Sequence, residues 1–251
     1  MKKIISVATL LSTLLFAGEQ FSMSDADRKM YEALLESNPA EIMAESGNEL
    51  IEEFLGGDEA IAKYLSVSES DLPSYIAGFP RYIKKLGFVA DIDQVLQAMF
   101  EEKGKKSFKL NSADMFSMYT YVRSLANDEK INIDVNANKH MKKAYELGKY
   151  MYEVRRGARG LACASCHAPG VTGRVLRTQI LPSLKDGTGA TWPAYRMTKS
   201  KLSTLPERSR ACMKNATQDR VPHGSKELVA LTVYIANMAV GKTIEVPGLK
   251  R

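Results

Sequence analysis

Three cysteines, three histidines and one tryptophan are spread over 251 residues. So few thiols exclude a disulfide-stapled scaffold, and an odd count in an exported chain leaves one thiol over. No second Cys/His pair accompanies Cys163 and Cys166 at a suitable spacing, so a closed zinc site would lack half its ligands. Alternation at period two is missing over any long stretch, which removes the βαβ setting of a thioredoxin-like redox pair. No basic run interleaved with aromatics occurs, and a formal charge of +6 is too mild to suggest nucleic acid.

Long apolar runs are missing too, except at the N-terminus. There Lys2 and Lys3 precede the apolar stretch Ile4 to Phe16, and Ala17-Gly18 offers a small-residue cleavage point. Residues 1–17 read as an export signal, shorter than the roughly 20 residues that span a bilayer. The expectation is a periplasmic mature chain without a membrane span. Removing Lys2 and Lys3 leaves 33 Lys and Arg against 29 Asp and Glu.

What is present is helical and repeats. Phe79-Pro80-Arg81-Tyr82 matches Trp192-Pro193-Ala194-Tyr195 at an offset of 113, and Ser112 matches Ser225, both placed as helix N-caps. Behind them Met115, Met118, Tyr119, Val122 and Leu125 share helical phases with Leu228, Leu231, Thr232, Ile235 and Met238. This predicts an all-α chain of two tandem helical domains, 18–135 and 136–251, joined through the polar Asn127-Asp128-Glu129-Lys130. A further helix is predicted over His140 to Arg156, with Gly148 inside its apolar stripe, where a close helix approach would justify the glycine.

Cys163-Ala164-Ser165-Cys166-His167 is the attachment spacing for one haem c. Two thiols three positions apart reach the two vinyl groups, and the adjacent imidazole faces the iron. Carried back 113 residues, the motif lands on Leu50-Ile51-Glu52-Glu53-Phe54, so the N-terminal domain is expected to lack haem. The opposite axial ligand is open among Met197, Cys212, Met213, His223 and Met238. A methionine would make a plain periplasmic electron-transfer cytochrome, whereas the spare Cys212 would supply a thiolate and lower the potential.

Between Trp192 and Lys226 stand eight cations, Arg208 and Arg210 among them, against only Glu207 and Asp219. Cations near Cys212 favour its thiolate. Arg208 precedes Cys212 by one helical turn, and its guanidinium suits an oxyanion. The cluster points to a small anion or an acidic partner.

With the haem motif, Arg208-Ser209-Arg210-Ala211-Cys212-Met213 and Trp192-Pro193-Ala194-Tyr195-Arg196, the mature chain resembles the SoxA family, catalytic cytochrome subunits of bacterial thiosulfate oxidation. The resemblance implies two tandem cytochrome c-like domains, here the single-haem variety. It also implies a heterodimer with a SoxX-like cytochrome, and coupling of thiosulfate to a cysteine of a SoxYZ-like carrier with release of two electrons. By position it makes Cys163 and Cys166 the covalent haem attachments and His167 and Cys212 the axial iron ligands. Cys212, a cysteine often found as a persulfide in that family, becomes the catalytic sulfur, and Arg208 the holder of the substrate anion.

Overall fold

The computed structural model describes residues 24–176 and 179–251, so the export-signal reading of residues 1–17 lies outside them. The N-terminal half runs α1 (Asp25–Glu36), α2 (Pro39–Leu55), α3 (Gly57–Leu65), α4 (Leu72–Ala77), the hairpin β1 (Arg81–Ile83) and β2 (Phe88–Ala90), α5 (Ile92–Glu102) and α6 (Ala113–Ser124). The C-terminal half follows with α7 (Lys139–Glu153), the one-turn α8 (Ala164–His167), β3 (Val175–Leu176), β4 (Gln179–Ile180), β5 (Ala194–Arg196), β6 (Lys201–Ser203), α9 (Leu205–Asn215), α10 (Lys226–Met238) and β7 (Gly248–Lys250). The molecule is helix-rich, but the all-α expectation needs correcting. Among the described residues seven strands of two or three residues are present, too short for side-chain alternation to register.

Each half is organised by one helix pair, α2 on α6 and α7 on α10. Both pairs cross at a glycine. A Cβ on Gly47 would stand 2.2 Å from the Ser117 carbonyl oxygen, and one on Gly148 would stand 2.0 Å from that of Ala230. The close approach expected at Gly148 is therefore real, and its cost in helix propensity of about 1 kcal/mol goes into backbone contact. Ser112 and Ser225 cap α6 and α10, their hydroxyls accepting from the amides of Met115 and Leu228.

The 113-residue register holds pair by pair through the second part of each half. Arg81 pairs with Ala90 as Ala194 pairs with Ser203, and Tyr82 with Val89 as Tyr195 with Leu202. Asp91 caps α5 and Thr204 caps α9 at the same offset. Upstream the register changes. The crossing glycines Gly47 and Gly148 are 101 residues apart, so the stretch between crossing and hairpin is twelve residues longer in the C-terminal half. Leu50 to Phe54 lie inside α2, the counterpart of α7, and do not occupy the position of the haem motif.

The two halves share a core. One apolar cluster runs from Ile51, Leu55 and Phe100 through Ile131, Ile133 and Met141 to Val233, Ala236, Ile244 and Val246. The polar run read as a linker is stitched down. The Asp128 amide donates to the Ile244 carbonyl (3.1 Å), the Ile131 amide to Lys242 (3.0 Å) and the Ile244 amide to Glu129 (2.8 Å). A second cluster of Met151, Tyr152, Trp192, Met213 and Leu231, with Cys163 packed against it, underlies the site.

Candidate haem and sulfur site

The haem motif is a single turn of helix. The Cys166 and His167 amides donate to the Cys163 carbonyl at 3.1 and 3.0 Å, and the Ser165 hydroxyl accepts from the Ala162 amide at 3.0 Å. Cys163 and Cys166 are free thiols, and that turn leaves His167 beside them. His167 Nδ1 lies 2.9 Å from the Pro182 carbonyl oxygen. A carbonyl only accepts, so Nδ1 carries the proton and Nε2 keeps its lone pair for a metal.

Cys212 sits on α9, whose start is set by the Thr204 cap and Pro206 in the first turn. Arg208 lies one turn upstream, as the spacing required. The structure brings the Cys212 thiol and the His167 imidazole close enough that each biases the other's charge. Burial alone would raise the Cys212 pKa; the guanidinium of Arg208, the imidazole of His167 and then Arg196 outweigh it and hold the thiol below its ordinary value. Burial tends to lower the His167 pKa, but the bonds to Cys212 and Pro182 leave it raised. Cys163 behaves in the opposite way to Cys212. Burial, followed by the charge of Cys212, pushes it up to about 11, and Arg156 only partly offsets this. Burial and Cys212 raise Cys166 as well.

The rival ligands have packing or hydrogen-bonding roles of their own. Met213 is 1% exposed and belongs to the core beneath α9, Met197 is buried, and Met238 packs against the same cluster. His223 Nε2 stands 3.2 Å from Glu207 Oε2, in a network where Glu207 also meets Lys201 and Arg210. Hydrogen bonding to His223 holds the Glu207 carboxyl below its usual range despite burial. The cation cluster is therefore not uniformly directed at the sulfur. Arg208 and Arg196 act on Cys212, while Arg210 turns to Glu207 and the Val221 carbonyl.

Two features escaped the reading of the sequence. Arg196 was one charge among eight, yet it is 7% exposed and close enough to bias Cys212. Its position at the end of a buried aromatic-Pro-Ala-Tyr strand was the available signal. Arg156 had no motif at all. Its Nε and Nη2 are buried without a hydrogen-bond partner among the described residues, beside Cys163.

The family described as SoxA/TsdA, cytochrome c domain, matches residues 147–244. The chain is 30% identical to the L-cysteine S-thiosulfotransferase subunit SoxA of Hydrogenophilus thermoluteolus, with 100% of both chains covered. It is 30% identical to the subunit of the same name from Hydrogenobacter thermophilus, over 93% of this chain and 91% of that one. Among solved structures, the crystal structure of SoxXA from P. pantotrophus superposes with a TM-score of 0.74 at 20% identity, covering 89% of this chain and 84% of that chain.

Proposed function

The chain belongs to the SoxA family of L-cysteine S-thiosulfotransferase subunits, and on that footing we propose that Cys212 is the sulfur on which its transferase chemistry occurs. It is a thiosulfate–cysteine transferase with a cytochrome c domain, and that domain implies haem c. The observation that carries the assignment is the meeting of three side chains: the Cys212 sulfur against His167, with Arg208 one turn away and acting on that sulfur.

The donor set fits a covalently bound haem. Cys163 and Cys166 would form the thioether bonds, and His167 and Cys212 would be the residues that hold its iron. Pinning of His167 Nδ1 by Pro182 leaves the correct nitrogen for iron, and the orphaned guanidinium nitrogens of Arg156 beside Cys163 suit a haem carboxylate. Haem supplies one-electron redox chemistry next to the sulfur.

The chain's own residues do the rest. Arg208 and Arg196 favour the thiolate form of Cys212, and Arg208 holds the thiosulfate dianion through charge-assisted hydrogen bonds. The Cys212 thiolate and the outer sulfur of thiosulfate join in an S–S bond, two electrons leave, and a Cys212 thiosulfonate results. A thiolate of the SoxYZ-like carrier then attacks the outer sulfur of that adduct, takes the sulfane-sulfonate group and restores the Cys212 thiolate. The electrons go to a SoxX-like cytochrome subunit, the partner in a heterodimer. Because residues 1–17 read as an export signal, the reaction belongs in the periplasm.

One haem suffices, since the N-terminal half reads as a cytochrome c-like domain, 18–135, that has lost its own. In the 113-residue register Met99 stands at the place of Cys212 and Val95 at that of Arg208. In the 101-residue register Ala62, Leu65 and Ser66 stand at the places of Cys163, Cys166 and His167. Met99 is 2% exposed inside the shared core.

The test is Cys212→Ser, combined with a SoxX-type partner and a SoxYZ-type carrier and assayed for thiosulfate-dependent electron release. Activity should fall to background, with a ferric spectrum that has lost its thiolate signature. Near wild-type turnover in that variant would end the proposal.

A further inference from the structure

The helix α7, predicted to reach Arg156, stops at Glu153, and a loop leads from it to the haem motif. Within that loop Gly157 and Gly160 adopt φ of +72° and +55°, and the Arg156 amide donates to the Leu161 carbonyl at 3.2 Å, turning the chain back on itself. Arg155, Gly157, Ala158 and Arg159 are exposed, so the loop has little apolar packing to fix it. Something else must set where Cys163 begins.

That something comes from the segment just past Cys212. The Ala158 amide donates to the Thr217 carbonyl at 3.2 Å, and a Cβ on Gly157 would lie 2.3 Å from that same oxygen, so the two backbones touch. The next residue, Gln218, is 7% exposed. Its amide donates to the carbonyl of Met213, the residue after Cys212, at 2.9 Å. Its side-chain Nε2 donates to the carbonyl of Leu161, two residues before Cys163. With the Arg156 amide, this fills both lone pairs of the Leu161 oxygen. A neutral amide makes that bridge without burying a charge.

We infer that Gln218 is a positioning residue, a brace between the Cys212 helix and the haem-binding turn that keeps the Cys212 sulfur against His167. The inference rests on the ligand roles proposed above. Gln218 touches neither sulfur nor imidazole, and it acts by fixing the distance between the two segments that carry them. Without its side-chain donor only the Ala158–Thr217 backbone contact still ties the loop to the segment after α9, so the Leu161 end shifts and the sulfur moves away from its partner.

The experiment compares wild type, Gln218→Leu, Gln218→Met and Cys212→Ser as full-length, haem-loaded proteins. Three quantities are read: the ferric optical and EPR signature, the rate of Cys212 alkylation by iodoacetamide, and the thermal unfolding midpoint. Both Gln218 variants should keep the covalent haem mass, shift their ferric signature toward that of Cys212→Ser, and alkylate Cys212 at least tenfold faster than wild type. A lowered midpoint with unchanged signature and alkylation rate would overturn the inference, leaving Gln218 merely structural. Should Gln218→Leu fail to accumulate, Gln218→Met, of similar length but without a donor, decides by the same readings. Identical ferric signatures in wild type and Cys212→Ser would instead sink the ligand assignment itself, a result obtained without any Gln218 variant.

Discussion

Burial of two carboxylates at the start of α5 makes the stability of this chain depend on pH in an unusual direction. Asp91 and Asp93 are 1% and 7% exposed. Asp91 Oδ1 accepts from the Ile92 amide at 2.9 Å and from the Tyr119 hydroxyl at 3.0 Å, while Oδ2 has no partner among the described residues. Asp93 has little besides the Gln94 amide at 2.9 Å. Arg123, the nearby cation, spends Nη1 on the Ile76 carbonyl. Burial and then the charge of Asp91 push the Asp93 carboxyl up to about 8, and burial raises Asp91 as well. Between the ordinary carboxylate range and pH 8 the folded chain therefore holds a proton that the unfolded chain has released. The contribution of this group to stability is full below that range and falls as pH rises toward 8, by at most about 1.4 kcal/mol per pH unit for one proton. Over pH 5 to 7 that is up to about 2.7 kcal/mol. Asp93→Asn cannot lose a proton, so urea unfolding of the variant across pH 5 to 8 should show a much flatter profile. The difference from wild type should grow in the variant's favour as pH rises. Parallel profiles for the two proteins would refute the reasoning.

Two further substitutions probe the site and its frame. Arg208→Ala removes the largest counterweight to burial at Cys212, so the thiol pKa should rise. With the loss of one charge-assisted hydrogen bond of about 1.5–3 kcal/mol, kcat/KM for thiosulfate should drop roughly 10- to 150-fold, measured by thiosulfate-dependent electron release. Gly148→Ala gains helix propensity of about 1 kcal/mol but drives a Cβ to 2.0 Å from a backbone oxygen that cannot swing away. Thermal unfolding should show a net loss of about 2 kcal/mol or more.

The parts of the site that could be read from residues alone are those whose partners are near in the chain. Cys163, Cys166 and His167 share one helical turn, and Arg208 and Cys212 share the next turn of another helix, so spacing was enough. The crossing at Gly148 was legible because a glycine in an apolar stripe has few other reasons to persist. What was not legible depends on distant contacts. Nothing near Gln218 announces Leu161, 57 residues away, and nothing near His223 announces Glu207. The repeat shows both cases at once. Its 113-residue register was read from Phe79 and Ser112, and the same offset applied to Cys212 lands on Met99. Carried upstream onto the haem motif it failed, because the extra twelve residues sit between the helix crossing and the hairpin.

That length difference bears on how the two halves depend on each other. A haem-binding segment needs room for a turn, two thiols and a ligand-bearing imidazole, and the longer stretch between crossing and hairpin in the C-terminal half provides it. The N-terminal half closes over Ile61, Leu65, Met99 and Phe100, filling its interior with side chains. Yet that filled interior does not end at residue 135. Ile131 and Ile133 before the boundary, and Met141, Val233, Ala236 and Ile244 beyond it, belong to one apolar cluster. The C-terminal tail also returns to the first half, where Asn38 donates to the Pro247 carbonyl at 2.8 Å and Arg251 meets Asp27 at 2.6 Å. Cutting between 135 and 136 would strip apolar cover from α10, the helix against which α7 and the haem-binding turn are set. At about 25 cal/mol per Å² of exposed apolar surface, a few hundred Å² would erase several kcal/mol, a large share of a typical domain's stability. The N-terminal half is thus bound to the chemistry through packing: it supplies the floor on which α10, and hence the site, is built.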